Sequence, residues 1–298
     1  MEELSATNKE KMMKVGIVGL GLIGGSLGRT LVSRTNDRIF AYDLSESAMK
    51  TGRLLSAYHE ELNDSNVSEL DVLFLSLYPN ALEEVLEKYC PLLKDGALVC
   101  DCCGNKRRIV SQMKKLAKKY PNLNFISTHP MAGREFSGVS HSTATLFDRA
   151  SMILVPVSAD IRTVANLKEY CKNIGFGTVV ITTAEEHDRI IAFTSQLAHL
   201  VSSSYIKSQT ASSFMGFSAG SFRDMTRVAR LSPEMWAQLT IDNADFLTNE
   251  LDSIIGSLEE YKSALKQKDF DKMKALLADG NEKKLISEKN RRTFNNEK

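Results

Sequence analysis

The chain lacks any long hydrophobic run. Nowhere in its 298 residues do apolar side chains approach the roughly 18 in succession that a membrane-spanning helix needs, so no membrane partner is expected. The opening stretch, MEELSATNKEKMMK, is charged where a secretory signal would be apolar, and no signal peptide is expected. Charge of one sign is not in excess either. Lys and Arg number 38 against 37 Asp and Glu, a net of +1. General nucleic-acid binders and membrane-surface proteins usually carry a basic surplus, so nucleic acid is also not an expected partner. Cysteine is scarce and odd in number: Cys90, Cys100, Cys102, Cys103 and Cys171. That count, without a signal, reads as reduced thiols in the cytoplasm. The cluster VCDCC has the wrong spacing for a tetrahedral zinc site and no second Cys/His pair to complete it, so no metal is expected. Its residues read as small apolar side chains on a buried strand.

What is present describes a globular protein. Hydrophobic residues make up 43% and charged residues 25%, enough for a real core. The length suits about two domains of roughly 150 residues. Up to about residue 182, short β-branched runs alternate with helical patterns. The runs are KVGIVGL (14–20), RIFAYD (38–43), DVLFLSL (71–77), ALVCDC (97–102), NFISTH (124–129), SMILVP (151–156) and TVVIT (178–182). Most are continuously apolar, as in parallel strands covered on both faces. Amphipathic helices between them complete an α/β, doubly wound, Rossmann-type nucleotide-binding domain.

No convincing strand follows Thr183, so residues 183–298 are expected to form an all-α domain. Thr183 and Glu186 make an N-cap signature, and Ser232–Pro233–Glu234 a second. The latter opens a helical pattern to about Lys268. One helix of about 35 residues would run about 50 Å, more than a small domain can cover. A homodimer is therefore expected, with this half at its interface.

Three constellations carry chemistry. The first is the loop Gly19–Leu20–Gly21–Leu22–Ile23–Gly24, a G-x-G-x-x-G between a strand and a helix. Gly19 permits the turn, Gly21 the approach of a pyrophosphate, and Gly24 close packing of the helix. Asp43 lies 19 residues after Gly24, where a carboxylate takes the ribose hydroxyls and repels a 2′-phosphate. NAD is the expected cofactor. The second is STHPMAGREFSG (127–138), which puts His129 at the carboxyl edge of the sheet. An imidazole there suits a proton acceptor for an alcohol being oxidised, and Glu135 could orient a cation or water. The third is AGSFRDMTRVARLSPEMW (219–236), with Arg223 and Arg227 four residues apart. An arginine fork suits a carboxylate substrate. His187 and His199, twelve residues apart, would sit about 18 Å and 120° apart on a straight helix. One would then face substrate while the other lies near the domain junction.

Four segments, GLGLIGGSLG, THPMAGREFSG with LFDRASMILVP, TSQLAHLVSSS, and AGSFRDMTRVARLSPEMW, occur in the order seen in prephenate dehydrogenases. The chain resembles that family over nearly its whole length. The resemblance implies NAD-dependent oxidative decarboxylation of prephenate to 4-hydroxyphenylpyruvate in tyrosine biosynthesis. It implies His129 as the catalytic group and Arg227 as the binder of a substrate carboxylate. It places Lys106, Glu135, His187, His199, Gly220 and Trp236 at substrate-binding or gating positions. One departure stands out. In DCCGNK (101–106), Gly104 occupies the position of a family serine, leaving Asn105 or a water to replace its contact. The choice between prephenate and arogenate turns partly on that position.

Overall fold

The computed structural model describes residues 12–134 and 136–296. All seven apolar runs are strands: β1 (Lys14–Val18), β2 (Arg38–Tyr42), β4 (Val72–Leu75), β5 (Leu98–Asp101), β6 (Asn124–Pro130), β7 (Ser151–Ser158) and β8 (Thr178–Ile181). A two-residue strand, β3 (Glu60–Glu61), adds an edge too short and too acidic to read beforehand. The helices among them are α1 (Leu22–Arg34), α2 (Glu46–Leu54), α3 (Pro79–Tyr89), α4 (Arg107–Lys119) and α5 (Ile161–Asn173).

The strands form one sheet in the order β3-β2-β1-β4-β5-β6-β7-β8, with every adjacent pair parallel except β6 and β7. Successive residues of a strand point to opposite faces, and both faces here are apolar. Ile17, Phe74, Cys100 and Ile126 enter one core with α1 and α5. Their neighbours Val18, Leu73, Leu75, Val99 and Phe125 enter the other with α3 and α4. That explains runs without alternation. Of the cysteine cluster expected on a buried strand, only Cys100 lies on β5; Cys103, past its end, is a core residue like Cys90 and Cys171, and Cys102 is half-buried. The strand order reverses between β1 and β4, the switch point beyond which ligands bind in such sheets.

The helical part departs from expectation. Thr183 caps α6 (Ala184–Ile191) as read, its hydroxyl accepting from the Glu186 amide at 3.2 Å. The helix then passes through a π-helical segment, Ala192–Leu197, into α7 (Ala198–Tyr205). Short α8 (Gly220–Thr226) and α9 (Pro233–Ile241) follow. The single long helix expected after Ser232 is broken at Asp242–Asn243, and α10 (Ala244–Gln267) starts anew. The cause is Asn243, a fully buried polar residue. Its amide donates to the Asp188 carbonyl (2.8 Å) and to Gln196 Oε1 (2.7 Å).

The chain divides into two compact units, Met1–Ala244 and Asp245–Lys298. The change from strands to helices near residue 182 lies inside the first. The second is a helical hairpin of α10 and α11 (Phe270–Asn296), turned at Lys268–Asp269 and tied by Tyr261 Oη to the Leu276 carbonyl. Among the described residues no helix is long and apolar enough to cross a membrane.

Candidate active site

The glycine loop runs from the end of β1 into α1, at the switch point. Gly19 has φ +95°, a conformation that L side chains disfavour. A Cβ on Gly24 would lie 1.9 Å from the Gly19 carbonyl oxygen, so the helix is seated directly on the loop. At Gly21, by contrast, a Cβ would meet nothing within 4 Å. The backbone is bare on that side. α1 begins there without a side-chain cap, so the amides of Leu22 and Ile23 open the helix as an anion site requires. Asp43 stands beside the loop, with Oδ2 accepting from the Leu20 amide (2.7 Å) and Oδ1 from that of Ser45 (2.8 Å). Each carboxylate oxygen retains acceptor capacity. An open anion cradle flanked by a carboxylate fits a dinucleotide.

The second group lies at the carboxyl end of β6. His129 Nδ1 is 2.9 Å from His187 Nε2, and His187 Nδ1 is 2.7 Å from Asp188 Oδ1. Burial holds His129 well below the ordinary imidazole range, and His187 and Lys106 add to the effect. Burial likewise lowers His187, outweighing the Asp188 bond that favours its charged form. Burial by itself would raise Asp188. Bonds from His187 and from the Arg107 and Lys106 amides outweigh it and keep the carboxyl below its usual range. Both imidazoles are thus neutral at neutral pH beside an ionised carboxylate.

Lys106 is placed otherwise than a substrate contact requires. It is fully buried, with Nζ donating to Asp101 Oδ2 (2.5 Å) and to the Thr128 carbonyl (2.6 Å). A buried ammonium needs such a partner, and this one pins the backbone immediately before His129. Asn105 is likewise turned away, donating to the Leu239 carbonyl (2.7 Å) and accepting from Gln196 (2.9 Å). At Gly104 a Cβ would point at the Leu239 side chain, 3.2 Å away.

The third group is His199, Trp236 and Arg227. The His199 ring stacks on Trp236 at 3.8 Å between centroids, and its Nδ1 lies 2.8 Å from the Ser195 carbonyl. Burial lowers His199, and the nearby Arg227 charge adds to this. Arg227 opens a 3-10 turn after α8 and is exposed. The π segment lies between the two histidines, and its i→i+5 turns advance by a smaller angle per residue. The straight-helix offset therefore does not apply. Gly220 lies apart, on an open cleft of about 520 Å³ shared with Phe214, Gly216, Phe222 and Arg223. Neither His129 nor His187 lines that cleft. Glu135 lies outside the described residues. Sequence reasoning passed over Asp188, Asp101 and Asn243. The signal for Asp188 was a charged residue directly after a histidine, at the start of a face that continues to the buried Ile191.

Comparison with known proteins bears on most of the chain. Residues 27–181 match the family model described as prephenate dehydrogenase, nucleotide-binding domain, and residues 183–279 match its dimerization domain. The cyclohexadienyl dehydrogenase of Zymomonas mobilis is 32% identical over 267 residues, 86% of this chain and 90% of that protein. The crystal structure of Synechocystis arogenate dehydrogenase superposes with TM-score 0.77 at 25% identity, covering 92% of this chain and all of the other. Prephenate dehydrogenase of A. aeolicus, solved with hydroxyphenyl propionate and NAD+, shares the fold (TM-score 0.79, 23% identity, covering 93% and 99%).

Proposed function

This chain belongs to the prephenate dehydrogenase family, and from that premise we propose that it oxidatively decarboxylates prephenate with NAD as acceptor, in the cytoplasm. Bound NAD+ supplies a hydride acceptor. Asp43 beside an uncapped helix start supports NAD over NADP, because a 2′-phosphate would meet a carboxylate. His129 receives the hydrogen bond, and then the proton, of the ring hydroxyl as hydride leaves the carbon that bears it. The ring carboxylate then departs as carbon dioxide. Its bonding pair enters the ring, and His129 returns the proton to the phenolic oxygen. Arg227 with His199 and Trp236 offers a cation and a flat wall for the substrate's acidic side chain.

The observation that carries this reading is the His129 imidazole at the sheet's carboxyl edge, 2.9 Å from His187 and held by burial below the ordinary imidazole range. The test is NADH formation by the purified protein with prephenate and, separately, with arogenate. Prephenate is expected to be the better substrate; faster turnover of arogenate would replace it, and neither reacting would refute the proposal. In the same assay His129→Asn should keep NAD binding and lose about 10²–10⁴-fold in kcat, the usual contribution of a positioned proton acceptor.

A further inference from the structure

Asp188 belongs to the helical segment, yet its carboxylate caps a helix of the nucleotide-binding fold. Oδ1 accepts from the Lys106 amide (2.7 Å) and Oδ2 from the Arg107 amide (2.9 Å), at the start of α4, which has no cap of its own. The Arg107 guanidinium adds a contact at 3.4 Å. Donors on both oxygens, a nearby cation and a helix N-terminus all favour the ionised form. An ionised carboxylate carries no proton to give, so at the 2.7 Å contact the proton sits on His187 Nδ1. The charges acting on His187 are those of Asp188, Lys106 and Asp101, and burial outweighs them to keep it neutral. A neutral ring with Nδ1–H has a lone pair on Nε2. At 2.9 Å that lone pair requires a donor, and His129 Nδ1 provides it. His129 is then left with its own lone pair on Nε2.

We propose that Asp188 is a positioning residue: through His187 it fixes His129 in the Nδ1–H tautomer, so that Nε2 is the atom that meets the substrate hydroxyl. This inference rests on the dehydrogenase reading for its purpose but not for its geometry. Free neutral imidazole prefers the Nε2–H form, which presents a donor where the reaction needs an acceptor. The bond series overrides that preference. It also accounts for a charged residue buried at 0% exposure between two elements, where an apolar side chain would pack with less desolvation.

Histidine ¹⁵N shifts read the tautomer directly, without turnover, in the apo full-length chain; His129→Asn identifies the His129 signals. His129 and His187 are both expected as Nδ1–H. Asp188→Asn should invert the series. Its amide oxygen keeps one capping bond while its NH₂ donates to His187 Nδ1, so His187 Nε2–H donates to His129 Nδ1 and His129 becomes Nε2–H. Turnover should fall about 10²–10⁴-fold, as when a catalytic histidine is held in the wrong tautomer, with NAD affinity within about twofold. His187→Phe leaves the Asp188 caps in place and should return His129 to the free-imidazole preference. Wild-type His129 found as Nε2–H overturns the proposal. So does an Asp188→Asn protein that loses activity with the His129 tautomer unchanged, since Asp188 would then be structural only. Should Asp188→Asn fail to fold, the wild-type and His187→Phe spectra decide. Absence of turnover with both substrates alongside the expected spectra would discard the reaction and keep the tautomer assignment.

Discussion

His129 and Lys106 show how burial sorts two residues that the sequence singles out. His129 lies at the carboxyl end of β6 and is the residue proposed to react, whereas Lys106 is fully buried. Lys106 Nζ is held in a fully buried pair with Asp101, whereas His129 Nδ1 faces another imidazole. A depressed His129 has a consequence for pH. The neutral ring accepts a proton, so the acidic limb of kcat/KM should fall below the ordinary histidine value of about 6.5; a limb above 7 would contradict this. The same shift acts on stability. Below about pH 6.5 an unfolded His129 or His187 binds a proton more readily than the folded one does, so stability is lost as pH falls through that window. Urea midpoints at pH 7.5 and 5.5 would show it. The placement of His129 at a strand end and of the glycines at a strand-to-helix turn was legible because turn chemistry and the sheet edge are local properties. The capping role of Asp188 was not, because the Lys106 and Arg107 amides lie 82 and 81 positions away in sequence.

Helix identity was easier to read than helix continuity. The periodicity from Thr183 and from Ser232 is real, but two features within it are set by distant groups. The π segment presents Gln196 inward, where it bonds Asn105 and the Leu239 carbonyl. Asn243 then bonds Gln196 and also accepts from Arg107 Nη2 at 2.9 Å. A buried side-chain amide of this kind is costly unless every bond is met, and meeting them interrupts the helix. Asn243→Ala should therefore destabilise the protein by about 1–3 kcal/mol, the cost of orphaning buried polar partners, as a drop in urea midpoint. A continuous helix 233–267 gaining stability from the substitution would show that the break has another cause.

At the scale of the whole molecule, a sheet that buries both faces leaves its helical sequel to find cover elsewhere. The second unit exposes Ile255, Leu258, Leu265, Phe270, Leu277, Leu285 and Ile286, more apolar surface than a lone hairpin keeps in water. Together with the dimerization-domain match of residues 183–279, this leads to a homodimer. Sedimentation equilibrium should give twice the mass of one chain at micromolar concentration, and a monomer there would oppose it. Sequence by itself determined the element types, the doubly wound sheet and the glycine cradle, since each follows from periodicity and backbone freedom within a few dozen residues. Tertiary structure alone decided that Lys106 and Asn105 face inward, that the long helix breaks, and that Asp188 stands behind the histidine pair. Those outcomes depend on which buried polar groups meet, and pairing across the fold leaves no periodic trace in the chain.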